Sequence, residues 1–71
     1  MDEALTIIMV REALTKHYPY LTSSHAAGII IGELYNRNTN SAWLDNPVTR
    51  ELSFMQWNDY VECLATIMTE D

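Results

Sequence analysis

The side chains able to do chemistry are few, and each has a structural role beside the chemical one. His17 and His25 flank the connector from Tyr18 to Ser24 and, with a carboxylate such as Glu12, would make a three-ligand site for a divalent metal. Their spacing matches no metal motif, and His17 also suits the negative end of a helix dipole. Cys63 needs a nearby base or an electropositive setting to act as a nucleophile, yet its charged neighbours in sequence are Asp59 and Glu62. Its expected role is a small buried hydrophobe. Asp59 and Glu62, at i and i+3, are the pair from which general acid–base chemistry or a divalent-ion site would be built. A domain this small is expected to offer no concave pocket to raise their pKa values, so they read as a solvated face. Gly28 and Gly32 are not a phosphate loop, because the Lys–Ser/Thr ending is missing and Glu33 would set a carboxylate against the phosphate. No catalytic residue, cofactor site or metal site is assigned.

Composition narrows the class further. The chain has 71 residues, 48% of them hydrophobic, which supports one small folded domain over 1–71 and no second one. A single cysteine excludes an internal disulfide framework and fits a reducing compartment. The longest apolar run, Ala26 to Gly32, is too short to cross a membrane, and Asp2 and Glu3 carry the wrong charge for the start of a signal peptide. The expected location is the cytoplasm, that of the host if the protein is phage-encoded. Ten acids against four bases give a net charge of −6, and Arg11, Lys16, Arg37 and Arg50 form no basic stripe. Direct nucleic-acid binding is disfavoured, since it rests on clustered cations that neutralise phosphates. A basic protein partner fits the charge better.

The elements that must position these residues read as helices. The first spans about 2–17, with Asp2 as N-cap, Lys16 and His17 in the last turn, and Pro19 as the stop. Ala4, Ile7, Val10, Leu14 and Tyr18 share one face, while Leu5, Ile8, Met9 and Ala13 cover much of the rest. A helix apolar on most sides is buried on most sides, more than three helices readily cover. The second spans about 24–36, with Thr22, Ser23 and Ser24 as candidate caps. Gly28–Ile29–Ile30–Ile31–Gly32 is compatible with a buried strand, but helix is favoured, with the glycines permitting close approach of another backbone. A polar loop from Asn36 to Ser41 and an apolar plug, Ala42–Trp43–Leu44, follow. Asn46 as cap and Pro47 at the first helical position open a short helical turn over 47–52, or Thr49 to Ser53 is extended. The third main helix spans 54–69, begun by a Ser53–Gln56 capping box and a Leu52–Trp57 staple. Phe54, Trp57, Tyr60, Val61, Leu64, Ala65 and Met68 form its apolar stripe, with Phe54, Trp57 and Tyr60 filling the core. Asn58, Asp59, Glu62, Thr66, Thr69 and Glu70 lie opposite.

The fold class expected is therefore all-α, a compact three-helix domain that associates as a homodimer through Leu5, Ile8 and Met9. From Glu51 onward the acids Glu51, Asp59, Glu62, Glu70 and Asp71 meet no Lys or Arg, and those near the C-terminal end oppose the helix dipole. Asp59, Glu62 and Glu70 form the candidate acidic interaction face, and Tyr20 and Trp43 the candidate aromatic contacts. The function expected is a small acidic, non-enzymatic protein–protein interaction module that modulates a larger protein. Its size and composition are similar to those of accessory proteins of phages and mobile elements. The alternatives are a helix-turn-helix DNA-binding regulator, whose reading helix would carry acids where bases are needed, and a small metal protein using His17 and His25.

Overall fold

The computed structural model describes residues 3–37 and 46–70, and among these all regular structure is helical. Among the described residues four helices follow in order: α1 (Glu3–His17), α2 (Ser23–Arg37), α3 (Pro47–Glu51) and α4 (Trp57–Met68). Asp2, the loop residues 38–41, the plug with Trp43, Asp45 and Asp71 lie outside the described residues. The expected all-α class holds, and Gly28–Gly32 is helix, with no strand among the described residues.

Local chemistry explains most of the boundaries. Beyond α1 the Tyr18 N–H still bonds the Leu14 carbonyl at 2.8 Å, and Pro19 then turns the chain. Thr22 caps α2, its hydroxyl accepting from the His25 N–H at 3.2 Å. Asn46 caps α3: its Oδ1 accepts from the N–H groups of Val48 (2.9 Å) and Thr49 (3.3 Å), with Pro47 in the first turn. The Asn46 amide also donates to the Tyr18 hydroxyl at 3.0 Å, tying the start of α3 to the end of α1.

The start of α4 corrects the sequence reading. The helix opens at Trp57, not Phe54, and its N-cap is Gln56, whose side chain makes no capping bond. No Ser53–Gln56 capping box forms. The reason lies in the preceding turn, where the Met55 N–H bonds the Leu52 carbonyl at 3.0 Å and both side chains are buried. Anchoring Leu52 and Met55 in the core turns Phe54 outward, 60% exposed, and leaves Trp57 partly exposed. The staple positions accordingly fall on Met55 and Tyr60, both in the core, rather than on Leu52 and Trp57.

The core collects Val10, Ala13 and Leu14 from α1, Ala26, Ala27, Ile30 and Leu34 from α2, Val48 from α3, and Tyr60, Cys63, Leu64 and Ile67 from α4. Burying each larger aliphatic side chain contributes about 1.5–3 kcal/mol before entropy is counted. The buried face of α4 is thus 60/63/64/67, roughly a quarter-turn from the expected stripe, which leaves Met68 partly exposed. Inside the core the Tyr60 and Thr49 hydroxyls bond at 2.7 Å, satisfying two polar groups that are both sealed from water. Burial pushes the Tyr60 phenol up to about 12; the bond to Thr49 opposes the shift and Tyr18 adds to it.

The glycines do not perform the expected packing role equally. A Cβ on Gly28 would lie 3.6 Å from Met68 Sδ, in ordinary contact, whereas one on Gly32 would meet nothing within 4 Å. Neither is a forced close approach.

Candidate functional site

The rotation of α4 brings its acidic flank toward α1. Thr6 and Ile7 of α1, the turn residues Phe54, Met55 and Gln56, and Asp59, Glu62, Cys63 and Thr66 of α4 line one groove of about 530 Å³. The expected absence of a concave surface beside Asp59 and Glu62 is therefore corrected. The lining is mixed: Ile7, Phe54 and Met55 contribute apolar surface, and Asp59 and Glu62 contribute two carboxylates. Cys63 is buried at the groove's edge, the small-hydrophobe position expected of it.

Phe54 also lines a second, smaller hollow with Met9, Glu12, Ala13, Lys16, Glu51 and Leu52. Both hollows are lined in part by α1, and the exposed Phe54 lines both. The sequence pattern places Phe54 in the core, and the structure exposes it. The signal that would have freed it is the i, i+3 pair Leu52 and Met55, apolar residues that hold the chain in a turn across that position.

The ion pairs decide which acids remain open. Arg11 pairs with Glu70, so the carboxylate near the C-terminal end of α4 is compensated from α1, contrary to the expectation that no cation meets this face. Lys16 Nζ and His17 Nε2 both reach Glu51 Oε1, at 3.0 and 3.1 Å. Hydrogen bonds from Lys16 and then His17 hold the Glu51 carboxyl below its usual range. Asp59 and Glu62 take part in none of these pairs and are exposed. Asp59, in the first turn of α4, is also favoured by the helix dipole, so its presence has a structural reason; Glu62 has none of that kind.

The remaining sequence candidates scatter. Tyr20 is 78% exposed in the α1–α2 connector and lines neither hollow. Leu5 (55%) and Ile8 (46%) are exposed on the outer side of α1, and Met9 is half-buried in the second hollow. Trp43 lies outside the described residues.

No known family, characterised protein or solved structure matches the chain. The groove must therefore be read on its own chemistry. Among the described residues no three His, Cys, Asp or Glu side chains gather as metal ligands, and His17 Nε2 lies 3.1 Å from Glu51 Oε1. No helix among the described residues is long and apolar enough to cross a membrane. What the arrangement can do is hold an apolar side chain against Ile7, Phe54 and Met55 while Asp59 and Glu62 select a positive charge beside it.

Proposed function

We propose that this chain is a small acidic, non-enzymatic protein–protein interaction module that binds and modulates a larger, basic protein. The class is that of accessory proteins of phages and other mobile elements. The supporting observation is the groove: apolar surface from Ile7, Phe54 and Met55 in one lining with Asp59 and Glu62, the two acids of α4 that no cation of α1 neutralises. Apolar burial would supply the affinity, and the carboxylates would supply steering and choice of partner. Leu5 and Ile8, apolar and open on the outer side of α1, support self-association as a homodimer, with Met9 at the border of that surface.

The test is affinity capture from the native host by the wild-type chain and by a chain carrying Asp59→Lys with Glu62→Lys, each washed at increasing salt. Loss of the wild-type partners in the charge-reversed chain is expected. Unchanged partners, yield and salt response would reduce the carboxylates to a solvated face. A sedimentation mass near 8.2 kDa at micromolar concentration removes the dimer.

A further inference from the structure

The two hollows that share Phe54 define more than an acidic patch. From α1, Thr6 and Ile7 line the first, and Met9, Glu12, Ala13 and Lys16 line the second. At 1.5 Å per residue the midpoints of these two α1 linings lie about 9 Å apart along the helix, close to the roughly 10 Å between residues i and i+7 of a guest helix. Phe54 stands between them as a knob that a small guest residue would straddle. The charge along this track is uneven. In the first hollow Asp59 and Glu62 are in no ion pair among the described residues, while in the second Lys16 already pairs with Glu51 and leaves Glu12.

Resting on the reading of the chain as an acidic interaction module, we infer that the paired hollows receive a basic amphipathic helix of a protein partner. Its apolar anchors stand at i and i+7, a small residue meets Phe54 between them, and its Lys or Arg residues cluster at the end over Asp59 and Glu62. This is the helix-in-groove mode, in which spaced apolar anchors give affinity and flanking charge gives orientation. A second copy of the chain is a poor occupant. It carries −6, and its Arg11 and Lys16 are engaged in ion pairs. A nucleic acid is poorer still, because its phosphates would face the two carboxylates.

The experiment is selection of a displayed library of random peptides, each roughly 14 residues or four helical turns long, on the immobilised full-length wild-type chain. Selected peptides are then titrated by fluorescence anisotropy and mapped by amide chemical-shift changes. Enriched sequences with apolar residues seven apart and Lys or Arg toward one end are expected, with shifts at Ile7, Phe54, Met55 and Cys63. Phe54→Asp should weaken binding by about tenfold or more, as loss of a central aromatic anchor does. Asp59→Lys with Glu62→Lys should weaken it and flatten its salt dependence. Folding of both variants is checked by circular dichroism, and Phe54→Ser replaces any variant that is unfolded. Basic peptides bound on another surface overturn the groove assignment but leave the acidic module standing. Peptides without basic residues, or no enrichment, overturn both. Sedimentation provides the last arm: a self-associated wild type that Phe54→Asp converts to monomer makes a second copy the occupant and overturns the inference.

Discussion

The two flanks of α4 are built to opposite ends. Toward α2, the most extensive helix pair of the domain, small residues Ala26 and Ala27 and the larger Ile30 and Leu34 join the core with Leu64 and Ile67, and Met68 reaches over Gly28. Toward α1 the packing is thinner, and a groove remains whose two carboxylates, Asp59 and Glu62, are in no ion pair among the described residues. One flank is closed by packing and the other stays open. The separation teaches that the residues holding the domain together and those of the proposed binding groove are different residues of the same helix, so substitutions should pull stability and the proposed binding apart.

The largest effect should come from the closed flank. Ile30 is fully buried, and Ile30→Ala removes aliphatic volume from a packed site, at a cost of about 2–5 kcal/mol. A domain of this size has only a few kcal/mol of net stability, so the urea midpoint should collapse. Phe54→Ser, on the open flank, should cost under about 1 kcal/mol because most of the ring already faces water. Equal losses from the two substitutions would erase the distinction between the flanks.

An intermediate effect is expected where α3 is tied to α4. Tyr60→Phe removes a hydroxyl that is buried against Thr49, a change of about 1–3 kcal/mol. Thr49→Val in that background should cost less than it does alone, which a double-mutant cycle measures directly. The pH dependence has a definite sign. The folded-state phenol titrates near 12 against 10 for its ordinary value, so the folded chain keeps this proton while the unfolded chain releases it. Stability is fully present below pH 10 and drains away between about 10 and 12, by up to roughly 2–3 kcal/mol. Tyr60→Phe should lack that part of the alkaline loss.

How much of this was legible in the sequence depends on which signal carried it. The helices of 3–37 and the Asn46–Pro47 start of α3 were readable because caps and prolines act locally. The face of α4 was not, although 60/63/64/67 is itself a three-and-four pattern. Phe54, Trp57 and Met68 offered a greasier rival stripe, and hydrophobicity alone does not say which stripe a turn will aim inward. Leu52 and Met55 decide that, and their role appears only once α3 and α4 are known to be joined by a turn that sends these two side chains into the core. The acids Asp59 and Glu62 were visible as residues, but the groove was not, because its other wall comes from Thr6 and Ile7, more than forty positions earlier. The Arg11–Glu70 pair escaped for the same reason.

The smallest effect tests how closed the closed flank is at its edge. Gly28 and Gly32 sit four apart in α2, and alanine at either one lowers the backbone entropy lost on folding by about 0.5–1 kcal/mol. At Gly32 the added methyl meets nothing within 4 Å, so Gly32→Ala should show that gain unmodified, raising the melting temperature by a few degrees. At Gly28 the methyl would stand 3.6 and 3.7 Å from Met68 Sδ and Cγ, ordinary van der Waals distances. Gly28→Ala should therefore match or slightly exceed Gly32→Ala, since it adds contact to a flexible side chain without forcing it aside. Destabilisation by Gly28→Ala, with Gly32→Ala still stabilising, would mean that Met68 has no freedom to yield and that the α2 flank is rigid out to its rim. Both alanines stabilising would place the rigid part deeper, at Ala26, Ala27 and Ile30, where a test by enlargement rather than truncation becomes the sharper probe.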